Sequence, residues 1–362
     1  MRRSLVLFFL LCAISGGVSA QVAPARNYPA PMESDYVIAN FRFRSGEVLP
    51  ELRIHYRTIG TPVRDASGVV RNAVLIGHGT GGAGTQFLSA QFAGVLFGPG
   101  QLLDATRYFI ILADGIGHGN SSKPSDGLHA KFPHYTYDDM VTAHHQLLTD
   151  KLGVNHLRLV MGTSMGGMQT WVWGEMYPEL MGALMPLASN PVEIAGRNRI
   201  WRYMAIDAIR NDPDWMGGEY KAQPMRGLTT AEDLLLLAGS APLQWQKQSP
   251  TREAAEKFYL DRFKPAVARL VANDLIYQLE ASREYNPSLR LETIKAPLVA
   301  INSADDLINP PELGIMEREI KRVKRGRFIL IPISDQTREH GTHSLPAIWQ
   351  QYLRALLDES KQ

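Results

Sequence analysis

The residues Gly162-Thr163-Ser164-Met165-Gly166 set a serine between glycines, directly after an apolar run and directly before a segment with helical character. This is the G-x-S-x-G spacing on a strand–turn–helix corner, a context that lifts a short and common pattern above chance. The glycines permit a tight turn and keep bulk away from the hydroxyl. The helix start beyond it offers N–H donors and a positive dipole end to a developing negative charge. The chemistry that suits this spacing is nucleophilic attack on an acyl carbonyl. A serine hydroxyl is weak on its own, and needs a histidine to take its proton and a carboxylate to orient that histidine.

On such a corner the partners follow in the order serine, acid, histidine, each on a loop at the carboxyl end of a strand. Ser303-Ala304-Asp305-Asp306 follows the apolar run 297–302, and His340 and His343 lie in the polar loop after 327–332. Either aspartate and either histidine satisfies the spacing. An oxyanion needs a second N–H donor beside that of Met165. His78-Gly79-Thr80-Gly81-Gly82 supplies a loop for it, with the Thr80 N–H as first candidate and Gly81 next. The same loop matches a G-x-G-x-x-G dinucleotide fingerprint, but no acidic residue ends a second strand at the required distance. A second glycine-rich loop, 114–122, is read as the floor of the site. His144-His145 is no metal pair, because adjacent helical residues point about 100° apart. Nothing in the pattern calls for a cofactor.

The elements that must hold these residues can be read from hydrophobic rhythm. From 36 to 56 apolar residues alternate around a turn at Ser45-Gly46, which predicts an antiparallel opening. Short apolar runs then recur at 73–77, 108–113, 157–161, 183–187, 298–302 and 328–331, separated by helix-length segments. That predicts a mostly parallel sheet covered by helices on both faces. One helix should start at the capping box of Thr136 and Asp139 and run toward Leu152, and a last helix should open at Ser344-Leu345-Pro346, with Ser344 as its cap. Between about 191 and 292 the strand rhythm stops and a helical pattern rich in Trp, Met and Arg takes over. The expected organisation is a core of 21–190 and 293–362 with a helical cap insertion at 191–292. Trp201, Trp215 and the insertion's methionines suit either an apolar pocket or the insertion's own core.

The chain has 362 residues and a formal net charge of +2, which gives no reason to expect nucleic acid or an anionic membrane as partner. The basic run 321–327 is read as cations in the last turn of a helix that ends at Gly326. Residues 1–20 read as a cleavable export signal: Arg2 and Arg3, an apolar stretch too short to span a bilayer, then Val18-Ser19-Ala20. The only cysteine, Cys12, lies inside it, so the mature protein is expected to be free of disulfides, off the membrane, and periplasmic or secreted. The expected partner is a small acyl substrate. The oligomeric state stays open, a homodimer included.

These residues resemble the α/β-hydrolase superfamily, and within it the branch of homoserine O-acetyltransferases. The likeness rests on Ser45-Gly46-Glu47, the stretch 162–169 around the serine, Asp212-Pro213-Asp214-Trp215 followed by Gly217-Gly218 and Tyr220, and Pro310-Pro311-Glu312. It implies the α/β-hydrolase fold and an acyl-enzyme mechanism. It also implies a choice among neighbours: the acid falls four residues before Pro310 and nine after Pro297, which is Asp306, and the histidine before a small residue is His340. The departures point away from transfer. The acetyltransferases carry an arginine two residues before an Ala-Ile pair, expected to hold the homoserine carboxylate. The matching pair Ala208-Ile209 puts Ile206 there, with Arg202 and Arg210 nearby. The loop at His78 is closer to those of hydrolases, and export would remove the enzyme from acetyl-CoA. The expectation is an exported serine hydrolase with Ser164, His340 and Asp306 as triad and Met165 and Thr80 as oxyanion donors, with acyl transfer as the alternative.

Overall fold

A computed structural model describes residues 27–361. The export signal read over 1–20, with Cys12, lies outside the described residues. Among the described residues eight strands form one sheet: β1 Met32–Arg42, β2 Val48–Ile59, β3 Ala73–Gly77, β4 Phe109–Ala113, β5 Leu159–Thr163, β6 Leu184–Leu187, β7 Leu298–Ser303 and β8 Gly326–Ile331. Their spatial order is β1-β2-β4-β3-β5-β6-β7-β8. β1 and β2 form an antiparallel hairpin, β2 runs antiparallel to β4, and the other pairs are parallel. The hairpin turns at Gly46, whose N–H donates to the Phe43 carbonyl.

The strands are apolar without interruption because both faces of the sheet are covered. Successive residues serve opposite layers. Leu75, Ile111, Val160 and Ala300 pack into one cluster, and Val74, Ile76, Ile110, Leu159, Met161 and Val299 into the other. The first layer is closed by the helices Tyr137–Gln146 and Met165–Met176, the second by Pro346–Glu359 through Trp349, Leu353 and Leu356. The Thr136 capping box is present: the Thr136 hydroxyl and the Asp139 carboxylate each accept the other's N–H. The helix it opens continues into one π turn, Leu147–Lys151.

Two local readings are corrected. Ser344 does not cap the last helix; Leu345 holds that position, and the Ser344 hydroxyl bonds to His343 Nδ1 instead. Gly326 does not end a helix but starts β8, after a short 3-10 turn Ile320–Arg322. Arg322 pairs with Glu292 and Glu319, so ion pairing as well as the helix end accounts for that cation.

Between β6 and β7 the described chain forms helices and no strand. The longest are Gly196–Arg210 and Met225–Ala238, followed by Ala272–Glu280, which leads back toward the sheet. Trp201 and Trp215 are partly buried against the core cluster. Among the described residues no helix is long and apolar enough to cross a membrane.

Candidate active site

The corner at Ser164 is built by steric exclusion. Ser164 has φ 55° and ψ −114°, a conformation that costs a non-glycine residue roughly 1–3 kcal/mol and persists only where its surroundings enforce it. The enforcement comes from the elbow helix Met165–Met176, pressed directly on β3 and β5. A Cβ on Gly166 would sit 2.0 Å from the Gly77 carbonyl oxygen, and one on Gly162 would sit 2.2 Å from the Gly166 oxygen. Only glycine allows two backbones so close. The Ser164 N–H donates to the Leu187 carbonyl of β6, which fixes the corner from a third strand.

The structure brings Ser164, His340 and Asp306 together. Ser164 Oγ lies 2.8 Å from His340 Nε2, and His340 Nδ1 lies 2.9 Å from Asp306 Oδ2. An ionised carboxylate only accepts, so Nδ1 carries the proton and Nε2 keeps its lone pair for the serine hydroxyl. Asp306 is held in turn. Its Oδ1 accepts the N–H groups of Ile308 and Asn309, and its Oδ2 the Asn309 amide. Burial works against charge at both members of the pair. For Asp306 the His340 charge and these hydrogen bonds outweigh it and hold the carboxyl below its ordinary range. For His340 the Asp306 carboxylate outweighs it and raises the imidazole above its ordinary value.

The sequence neighbours point elsewhere. Asp305 accepts from the Ser303 hydroxyl and from the Glu339 N–H. His343 packs edge-on to His340 with ring centroids 5.2 Å apart, and burial pushes its pKa down to about 3, so it stays neutral near pH 7.

The candidate oxyanion donors flank the serine. Met165 opens the elbow helix, with its N–H at the helix start. The loop 78–82 lies close by, since a Cβ on Gly79 would be 3.6 Å from Ser164 Cβ, and Thr80 and Gly81 line the cavity that also holds Ser164 and His340. The loop is tied down from several sides. Gln86 accepts the Gly79 N–H and donates to the Thr163 hydroxyl, joining this loop to the elbow. His78 Nδ1 donates to the Gly79 carbonyl while Nε2 accepts the Gly115 N–H, and burial keeps the ring neutral. The second glycine loop is organised by buried Asp114, which accepts from Arg57 and from the N–H groups of Gly84 and Asn120. The segment after Gly82 forms only a short 3-10 turn, Gly84–Leu88. His144 and His145 diverge: His144 is buried near the Asp114 carbonyl, and His145 stacks on Tyr177.

Two cavities meet at Ser164. One, of about 490 Å³, is lined by apolar groups including Met168, Val192, Ile194, Ile308 and Leu313. The other, of about 700 Å³, has a larger share of polar groups in its lining, among them Thr80, Gln86, Glu232, Arg269 and Gln278. Arg202 borders both. It is 3% exposed, donates to Asn198 and Ser282, stacks over Trp201, and faces no carboxylate within ion-pair distance among the described residues. Ile206, where the resemblance puts an arginine, is fully buried in the core. Arg210 pairs with Glu280 instead. Reading the sequence missed Gln86 and Glu339, because nothing local marks a side chain that bridges two loops.

Comparison with known proteins agrees with this architecture. The family model described as alpha/beta hydrolase fold matches residues 72–329. A probable acyltransferase of Methanothermobacter thermautotrophicus is 33% identical over 282 residues, covering 77% of this chain and 84% of that protein. A homoserine O-acetyltransferase of Moorella thermoacetica is 31% identical over 310 residues, covering 74% and 80%. Among solved structures, esterase E22 superposes with a TM-score of 0.78 at 19% identity, covering 91% of this chain and all of that one. The chain therefore belongs to the α/β-hydrolase fold family, and is an enzyme of the hydrolase and acyltransferase type that the family comprises.

Proposed function

We propose that the protein is an exported serine hydrolase that cleaves an ester or related acyl bond through an acyl-enzyme. Ser164 Oγ attacks the carbonyl carbon while His340 Nε2 takes its proton, and Asp306 keeps the imidazole in the required tautomer and orientation. The carbonyl oxygen, now negative, is received by the N–H groups of Met165 and Thr80. His340 then passes its proton to the leaving group, and a water activated by the same ring releases the acid and restores Ser164. In this reading residues 191–292 form a cap over the serine, and residues 1–20 are removed on export.

The observation that carries the reading is the continuous hydrogen-bond chain from Ser164 through His340 to buried Asp306, at the meeting point of two cavities. The test is labelling by a fluorophosphonate and turnover of activated esters, run on the natural chain and on Ser164→Ala. Both signals should vanish in the variant, and full labelling of Ser164→Ala would refute the assignment. The mass of the protein recovered from outside the cytoplasm tests cleavage after Ala20.

A second reading, acyl transfer to a small alcohol, is favoured by the names of the sequence relatives and by Arg202, an enclosed cation on the serine's cavity with no carboxylate partner among the described residues. Acetyl transfer from acetyl-CoA to homoserine that outpaces hydrolysis would establish it. Ile206 in the core argues for hydrolysis.

A further inference from the structure

Glu339 occupies a conformation that its residue type disfavours. Its φ is 55°, in the left-handed region where glycine is at home and a side chain is strained. It is also 1% exposed, an uncommon place for a carboxylate without a cation beside it. What the side chain does there is specific. One carboxylate oxygen accepts the N–H of Leu307, the residue after Asp306, and the other accepts the N–H of His340 itself. The Glu339 N–H donates to Asp305, and its carbonyl accepts from Thr342. A single residue therefore joins the loop after β7 to the loop after β8.

We propose that Glu339 is a positioning residue whose carboxylate clamps the Asp306 loop to the His340 loop and holds the imidazole on Ser164. The proposal rests on the acyl-transfer reading of the site. Backbone strain persists where the surrounding structure repays it, and here the repayment is two charge-assisted hydrogen bonds that a glycine could not make. The same charge acts on the imidazole. Groups facing the site are Asp305 and Asp306 from the loop after β7, His343 from the loop of Glu339, and Arg202 from the helix Gly196–Arg210. Against burial and the more distant Arg202, Glu339 adds to Asp306 in favouring the protonated ring. Burial and the Asp306 charge raise its own carboxyl to about 7.

The test uses Glu339→Gln and Glu339→Gly, with kcat, KM, Tm and the pH profile of kcat/KM. Glu339→Gln, which can accept only one of the two N–H bonds, should lower kcat about tenfold with KM within about twofold. Its acidic limb should move to lower pH, because the charge that Glu339 carries when ionised no longer favours the protonated ring. Glu339→Gly should leave Tm within a few degrees, since the relieved backbone strain offsets the two lost bonds, yet lower kcat by about tenfold or more. A residue that served stability alone would show the reverse: a lower Tm, with kcat and the acidic limb unmoved, and that result would overturn the clamp. Loss of turnover in Ser164→Ala beside natural kcat in both Glu339 variants overturns the clamp while leaving the acyl-transfer reading intact. Retained turnover in Ser164→Ala overturns both.

Discussion

The two halves of the site are held by different physics. At the elbow, Ser164 is placed by exclusion: Gly77, Gly162 and Gly166 let backbones touch, and the serine has nowhere else to go. At the loops after β7 and β8, Asp306 and His340 are placed by attraction: Asp306 accepts from Asn309 and the Ile308 N–H, and the His340 N–H donates to Glu339. Steric placement is stiff and fails abruptly, because a close-packed interior has no room to yield. Hydrogen-bonded placement fails by degrees, one partner at a time. Damage at the elbow should therefore destroy the fold and the site together, whereas damage at the loops should separate activity from stability.

The sharpest way to break that contrast is Gly166→Ala. Its methyl would meet the Gly77 carbonyl oxygen at 2.0 Å. Thermal denaturation followed by circular dichroism should show Tm lower by roughly 10 °C or more, or no folded protein at all. A variant that folds with natural Tm would mean the elbow is softer than its contacts imply. Next comes Asp306→Asn, which keeps shape but removes the acceptor that sets the His340 tautomer. It should cut kcat by roughly 10³–10⁴-fold while moving Tm by only a few degrees. Asp305→Asn, beside it, should stay within about threefold of the natural kcat. Equal effects at the two positions would contradict the observed bond from Asp306 to His340.

Gln86→Ala tests the seam between the two kinds of support, since Gln86 links the Gly79 N–H to the Thr163 hydroxyl. It should lower kcat about tenfold by loosening the Thr80 donor, with the acidic limb of the pH profile unmoved. A shift of that limb would place Gln86 in the imidazole's electrostatics instead. The smallest effect belongs to Glu175, in the last turn of the elbow helix, whose carboxyl burial raises to about 8. The native state then keeps a proton that the unfolded chain releases, so stability is full below the ordinary carboxyl range and falls as pH rises toward about 8. Tm of the natural protein should drop by a few degrees between about pH 5 and pH 8.5, and Glu175→Gln should flatten that slope.

The pH dependence of activity follows from the same loops. His340 must be neutral to accept the serine proton, and its value is raised above the ordinary imidazole range. Activity should therefore fall on acidification from a point above that range. His343, held near 3, takes no part in this limb.

How much of this was legible in the chain follows from the range over which each signal acts. The sheet, its parallel run and the helix-only stretch between β6 and β7 could be read because burial on two faces leaves continuous apolar runs, and helices leave a different period. The corner at Ser164 was legible for a similar reason: close backbone approach demands glycine, and glycine can be seen. The order serine, aspartate, histidine follows from where loops must lie on such a sheet. Which aspartate meets which histidine was not legible from the residues alone. Asp305 and Asp306 are one residue apart, as chemically alike as two positions can be, and only the path of the loop turns one toward His340 and the other toward Ser303. The same holds for Arg202 and Arg210 on one helix, of which the first borders the cavities and the second pairs with Glu280. Glu339 left no trace in sequence at all, because its role lies in the meeting of two loops more than thirty residues apart. Patterns of burial and backbone sterics are local and periodic, and the chain carries them openly. Hydrogen bonds between distant loops are properties of the folded arrangement, and exist only once the sheet has brought β7 and β8 side by side.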